Sequence, residues 1–415
     1  MVGIAPSSPS APLLDGIVVV DLTQYLAGPT CTRMLMELGA DVIKVEAAPY
    51  GDPARSFSPR VNRRSGFFIQ QNRGKRSICL DLSSVEGKEI IAELAMKADV
   101  LVENFSPGVM DRKGLGYEVL AAGNPRLVMA SLSGFGQEGP LASKPAFDFI
   151  AQAYSGLMHM TGETDGPPLV VGSGIADVNV GVHAFGAIGH ALFRRERTGV
   201  GAHVDVAMVD ALVHMHETAI YAPSLDPTFR PVRQGRFYQP AQPAGVYKGP
   251  EGWIVIFCTQ GQVDALWRAM EQPELGTDPR FATNSGRLAH REDLATLIER
   301  WMEQFERDDE VIKLLELHRV PCSRVKDPAE LGDDDHLRQR DAIRTVSDPL
   351  VGSLVTPGFP IHFGAGAPPA RGASGDVLAP NLGQHNREVV SGMLGWNADR
   401  IDELERRGVL VAKDR

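Results

Sequence analysis

Asp177 is the residue whose setting best suits covalent chemistry. It stands in GSGIADVNVGVH (172–183), an apolar, glycine-rich segment that opens a long run of small residues. An aspartate is ionised near neutral pH and needs no base to act as a nucleophile. Glycines around it let a bulky substrate and its developing oxyanion approach backbone N–H groups. The same position also reads as a helix N-cap, where a carboxylate accepts orphan amide hydrogen bonds and complements the helix dipole. Composition alone favours the cap.

Two local basic clusters stand out in an acidic chain: Arg60, Arg63 and Arg64, and the run Gln70–Arg76. They read either as solvated loops or as phosphate contacts, for which arginine offers bidentate geometry. His159, His183, His190, His203, His214 and His216 are loosely spaced. His214 and His216, two apart, fall on different faces of a helix, so packing or surface roles are expected and no metal is called for. Gly134–Gly139 spells G-x-G-x-x-G but runs into Pro140 rather than a helix, a weak dinucleotide signal. P-loop, zincin and hydrolase-elbow motifs are missing from the chain.

The elements that must position these residues follow from hydrophobic periodicity. Residues 13–46 read as strand, helix, strand: Ile17–Val20, then Thr30–Leu38, then Val42–Val45. The pattern recurs as a strand over Ser77–Leu82, a helix over Ser84–Ala98 and a strand over Val100–Val102, followed by a strand over Leu127–Leu132. The first third is therefore expected to be an open α/β sheet. A long helix is expected over Gly174–Arg195. Prolines and arginines crowd 223–243, a plausible domain boundary. Beyond it VYKGPEGWIVIF reads as a hairpin, followed by helices over Val263–Met270, His290–Phe305 and Asp308–His318. A Pro/Gly-rich stretch over 345–375 precedes final helices near Asn386–Leu394 and Ala398–Arg407.

The 415 residues, 43% hydrophobic and 23% charged, predict two globular domains or one large one. With 42 Lys+Arg against 52 Asp+Glu, the charge balance argues against a nucleic-acid partner. Cys31, Cys79, Cys258 and Cys322 form no C-x-x-C pair, which fits free thiols in a reducing cytoplasm. The start, MVGIAPSSPSAP, lacks the basic and apolar regions of a signal peptide and reads as a flexible tail. No apolar run is long enough for a membrane span.

Taken together, LLDGIVVVDLTQYLAGPTCTRMLMELGADVIKVE (13–46), GDPAR (51–55), NRGKRSICLDL (72–82), ADVLVENFSPGVMDRKGLGYEVL (98–120), SLSGFGQEGP (131–140), FDFIAQAYSGLMHMTG (147–162), GIADVNVGVHAFGAIGHAL (174–192) and APNLGQHNREV (379–389) resemble the class III CoA-transferases of the CaiB/BaiF type. The family includes formyl-CoA and carnitine CoA-transferases. The resemblance implies a large Rossmann-like α/β domain built from both chain ends, with a smaller α+β domain between them. The expected division is 1–222, 223–335 and 336–415. It also implies ring-shaped chains interlocked in a homodimer.

The resemblance makes Asp177 a nucleophile that takes the acyl group and then CoA from an acyl-CoA donor, before handing CoA to a free carboxylate. CoA itself is the only cofactor-like group implied. Its binding residues would be Tyr25, Leu26 and Ala27 beside the reacting centre, with Phe147 and Asp148. Leu80, Asp81, Leu82 and Ser83 would lie beside adenine and ribose, with Asn104, Phe105 and Ser106 at the next strand end. Arg112, Arg55 and Arg76 complete the set as cofactor-binding cations. Gln152, one helical turn from Asp148, can share its pocket.

Two departures matter. Leu26 and Ala47 stand where formyl-CoA transferase carries glutamine and arginine, and no glycine run occurs near Arg236–Pro243, which argues against oxalate as acceptor. Arg233, Arg236, Tyr238 and Gln239 are candidates to meet an acceptor carboxylate or a CoA phosphate. The related α-methylacyl-CoA racemases are the alternative reading. They need a histidine where Phe147 stands, and phenylalanine moves no proton.

Overall fold

The computed structural model describes residues 11–364, 370 and 377–413. The expected N-terminal tail, up to residue 10, and most of 365–376 in the Pro/Gly-rich stretch lie outside them. The chain divides into two compact units, one drawn from Met1–Leu157, Val171–Tyr221 and Gly332–Arg415, the other from Met158–Val170 and Ala222–Leu331. No change in composition marks the excursion of 158–170.

The larger unit is built on a six-stranded parallel sheet. In chain order its main elements are β1 (Val18–Asp21), α1 (Ala27–Glu37), β2 (Asp41–Ala47), β3 (Arg76–Leu80), α2 (Val85–Lys97), β4 (Val100–Glu103), β5 (Val128–Ser133), α3 (Asp148–Tyr154), α4 (Ile175–Thr198) and β6 (Ala202–Ala207). The strand order is β3-β2-β1-β4-β5-β6, every neighbouring pair parallel. This is a doubly wound sheet, and its order reverses between β1 and β4.

Consecutive side chains of a strand point to opposite faces, and here both faces are covered. Val19, Val42, Val100 and Val128 pack with Cys31 and Leu35 of α1 and with Val180, Ala184 and Ile188 of α4. Val20, Ile43, Ile78 and Leu101 pack on the other side against Ile90, Ile91 and Leu94 of α2. That second layer also takes Val389, Val390, Ile401 and Leu404, from the two C-terminal helices Asn386–Leu394 and Ala398–Arg406. The chain's end thus closes the sheet that its beginning opened. An antiparallel hairpin over Ile343–Asp348 and Gly352–Pro357 precedes it, where the sequence offered only extended pieces.

The smaller unit holds an antiparallel three-stranded sheet, with Trp253–Phe257 between Ala244–Lys248 and Cys322–Arg324. Helices Gln260–Ala269, Arg291–Met302 and Asp308–Leu317 pack around Tyr247, Ile254, Trp267 and Phe281. Among the described residues no helix is long and apolar enough to cross a membrane.

Candidate active site

Helices that link parallel strands run against them, so their N-termini collect at the carboxyl ends of the strands. α1 starts just after β1, and α4 brings Asp177 to its own first turn. The two helices approach closely because α4 carries glycine at the contact. A Cβ on Gly181 would lie 2.5 Å from the Ala27 carbonyl oxygen and 3.0 Å from Thr30 Cβ. A Cβ on Gly174 would lie 2.7 Å from Leu26 Cδ2, 3.7 Å from Asp148 Oδ2 and 3.9 Å from Asp177 Cβ. Leu26, Asp148 and Asp177 therefore converge on one point beside the switch between β1 and β4.

Asp177 does not cap its helix. Gly174 is the N-cap and contributes no side chain, and the cap is supplied from α3. Asp148 Oδ2 accepts the N–H of Ala176 at 2.7 Å and that of Asp177 at 3.1 Å. Gln152 Nε2 donates to Asp148 Oδ1 at 2.5 Å, while its Oε1 accepts the Val171 N–H at 3.0 Å. Both Asp148 and Gln152 are buried. With Asp148 doing the capping, the Asp177 carboxylate makes no hydrogen bond or ion pair among the described residues. Burial pushes its pKa up to about 7, and the Asp148 charge adds to the rise.

The loop between β1 and α1 is held at nearly every residue. Asp21 Oδ1 accepts the N–H and the hydroxyl of Thr23. Asn104 pairs with Gln24 through both backbone groups, at 2.8 and 2.9 Å, joining the ends of β1 and β4. Tyr25 lies at φ +65°, a left-handed conformation that is rare for a bulky residue. Its N–H donates to Asp52 Oδ1 at 3.1 Å. Its ring lies 5.9 Å from that of Phe57 and 6.1 Å, edge-on, from that of Phe147. No side chain caps α1, so the Ala27 and Gly28 amides, which precede its first internal hydrogen bond, remain available at the N-terminus.

A second cluster lies at the ends of β3 and β4. Leu80 is buried, and Asp81 turns the chain into α2 by accepting the Ser83 N–H and hydroxyl at 2.9 and 2.6 Å. Those bonds hold the Asp81 carboxyl below the usual range. Lys113 donates to the Leu82 carbonyl at 3.1 Å, which brings the turn containing exposed Arg112 beside this one. Ser106 is exposed and Phe105 half-buried at the adjoining strand end.

Several basic residues are engaged inside the protein. Arg55 binds Glu46 through two nitrogens, both at 2.7 Å, and reaches the Pro380 carbonyl with a third. Arg76 pairs with Asp41 and Glu388. Arg64 pairs with Asp348, and Arg73 with Glu37. Lys75 is fully buried on Asp21 at 2.9 Å. In the smaller unit Arg233 donates to the carbonyls of His159 and Glu163, Arg236 pairs with Glu299, and Tyr238 packs on Phe257.

Sequence reasoning missed the charges beneath the loop. Asp21, Lys44, Glu46, Asp52 and Lys75 are all buried and joined in ion pairs or hydrogen bonds. Burial opposes the Asp21 charge, but Lys75 and Lys44 hold its carboxyl well below the usual range. The available signal was a charged residue inside an apolar strand, as in IVVVD and VIKVE.

Residues 14–386 match the family described as CoA-transferase family III. The chain belongs to CoA-transferase family III. It is 38% identical over 401 residues to the succinyl-CoA:mesaconate CoA-transferase of Haloarcula hispanica, covering 94% of this chain and 98% of that protein. It is 36% identical to the formyl-CoA:oxalate CoA-transferase of Streptomyces coelicolor, covering 97% of this chain and 100% of that protein. A crystal structure of a CaiB/BaiF family protein from Brucella suis superposes with a TM-score of 0.81 at 34% identity, over 92% of this chain and 100% of that one. As a family III CoA-transferase the protein is an enzyme that acts on acyl-CoA and a carboxylate.

Proposed function

We propose that the enzyme moves CoA from an acyl-CoA donor to a free carboxylic acid through covalent intermediates on Asp177. The observation that carries this reading is the Asp177 carboxylate itself: without a partner among the described residues, half-buried, and set in the first turn of α4 where α1 begins alongside. In the first step an Asp177 oxygen attacks the thioester carbonyl and CoA leaves as thiolate, forming an acyl–aspartyl anhydride. The thiolate then attacks the aspartyl carbonyl, releasing the donor's carboxylate and leaving an aspartyl–CoA thioester. The acceptor carboxylate attacks that thioester, and the returning thiolate takes the acceptor's acyl group, regenerating Asp177. Each step exchanges one activated acyl bond for another, so the demand falls on oxyanion stabilisation and water exclusion. The open α1 amides of Ala27 and Gly28 are the proposed oxyanion donors.

CoA is proposed to run from this point along the strand ends past Asn104 and Phe105, with adenosine beside Leu80–Ser83 and a phosphate at Arg112. Arg55 and Arg76 would support this path through their bound carboxylates. Transfer is favoured over racemisation because Phe147 holds no proton and both Asp148 oxygens already accept hydrogen bonds.

The proposed acceptor is a C4–C5 dicarboxylate with succinyl-CoA as donor. The proposed assembly is an interlocked homodimer, which would cover Phe149, Val178, Val182 and Phe193, all exposed in the single chain. A reducing cytoplasm suits its four free cysteines.

The test is to incubate the enzyme with succinyl-CoA and a panel of carboxylic acids, and to identify new acyl-CoA by mass spectrometry. Failure to form any new thioester would sink the reading. Transfer to oxalate but to no C4–C5 dicarboxylate would overturn the acceptor assignment alone.

A further inference from the structure

Tyr25 occupies a backbone conformation that its side chain disfavours, and it is followed by Leu26, the N-cap of α1, which meets Gly174 at the start of the helix that carries Asp177. Something must over-determine that conformation. The Tyr25 N–H is held by Asp52 Oδ1, which also accepts the Ala54 N–H at 2.9 Å. The other Asp52 oxygen lies 2.9 Å from Lys44 Nζ. The same Nζ donates to the Thr23 carbonyl at 2.9 Å, two residues before Tyr25. Asp52 is fixed in turn by its own N–H, donated to Glu46 Oε2 at 3.0 Å. Lys44 and Asp52 are both buried.

Burying two opposite charges stabilises a fold weakly at best, because desolvation offsets the Coulomb gain. Their geometry points elsewhere: one ion pair grips the backbone on both sides of Gln24. From this, and resting on the transfer reading above, we infer that Asp52 and Lys44 are positioning residues for catalysis. They hold Tyr25 left-handed and so set the direction of the α1 amides toward Asp177. A misplacement of about 1 Å at a reacting centre costs up to about a hundredfold in rate.

A double-mutant cycle tests this. Glycine occupies φ +65° without help, so Tyr25→Gly removes the need for the clamp whatever else the ring does. In the otherwise unchanged enzyme, Asp52→Asn is expected to lower kcat about tenfold or more, with KM for acyl-CoA changed less than about threefold. In the Tyr25→Gly background the same replacement should lower kcat by less than about threefold. Where Asp52→Asn alone folds poorly, Lys44→Met with Asp52→Asn removes both charges and completes the same cycle.

Equal losses of kcat in the two backgrounds would overturn the inference, as would kcat and KM changing only in step with the folded fraction. A parent enzyme that transfers CoA to no acid would overturn the functional reading and this inference with it. A parent that transfers while the cycle shows no coupling overturns the inference only.

Discussion

The Asp148 carboxylate receives the backbone N–H of Asp177 and so sits against the residue whose charge it opposes. It caps the helix that carries Asp177 and raises the Asp177 pKa at once. Burial is the larger cause of the rise to about 7 and Asp148 the second. An attacking carboxylate must be ionised, so kcat/KM is expected to climb with pH through a midpoint near pH 7 and to level off above it. Asp148→Asn removes the second cause only and should move that midpoint downward. An unmoved midpoint in a pH–rate profile of the variant would count against the coupling.

The same shift has a signed effect on stability. Asp177 binds its proton more tightly folded, at about 7, than unfolded, near 3.8. Between those values the native state holds more protons, so its stability falls as pH rises. Asp177→Asn cannot ionise and escapes that loss. Thermal unfolding should show the variant gaining Tm relative to the parent at pH 8, with little difference at pH 4.

Asp177→Ala should abolish transfer while CoA binding, measured by calorimetry, stays within about threefold, since the second cluster near Leu80–Ser83 does not involve the carboxylate. Treating the parent with acyl-CoA and then hydroxylamine should mark an Asp177 peptide in mass spectra. Substantial residual turnover in the alanine variant would remove Asp177 from the nucleophile's role.

Much of this architecture was legible in the sequence. The β-branched runs at 18–20, 42–45 and 100–102 are buried strands because both faces of a parallel sheet are covered, and the small-residue run after Gly174 is one long helix. Asp177 stood out by its glycine setting, but the plain expectation of an N-cap fails because Asp148, 29 residues earlier, takes that task. That partnership is tertiary and has no local signal. Arg76 reads as a phosphate contact from its basic run and Arg55 from the resemblance; that Asp41 and Glu46 lie beside them is a tertiary feature with no local signal. Asp21 closes an apolar run and Lys44 interrupts one, as though facing water. Their burial depends on Asp21 finding Lys75 from 54 residues away and Lys44 finding Asp52 in the loop after β2.

Gly181 tests how far the site depends on helix contact. A Cβ there meets the Ala27 carbonyl, a backbone atom that moves only if α1 and α4 separate. Gly181→Ala is therefore expected to cost about 1–3 kcal/mol of stability by overpacking, despite alanine's better helix propensity. It should also lower kcat, because the amides at the start of α1 move with the carbonyl. Urea unfolding and steady-state kinetics on the same preparation check both. A variant as stable and as fast as the parent would show that the contact relaxes without disturbing the site.

The Asp21–Lys75 pair makes the opposite kind of prediction. Lys75 Nζ is bonded to Asp21, Thr32 and Asn72, and its pKa is lowered to about 8, with burial as the main cause and Asp21 opposing it. Asp21→Ala would leave that ammonium buried without a carboxylate partner, for a loss of about 3–5 kcal/mol. Raising the pH from 7 to 9 should stabilise both proteins, because each then buries a neutral Lys75, and should stabilise the variant more, because it lacks the Asp21 charge that opposes the downward shift. Denaturant titrations of both proteins at pH 7 and pH 9 measure the difference directly. A gap that does not narrow with pH would mean that the lost stability comes from the Thr23 and Thr32 hydrogen bonds of Asp21 rather than from the stranded lysine.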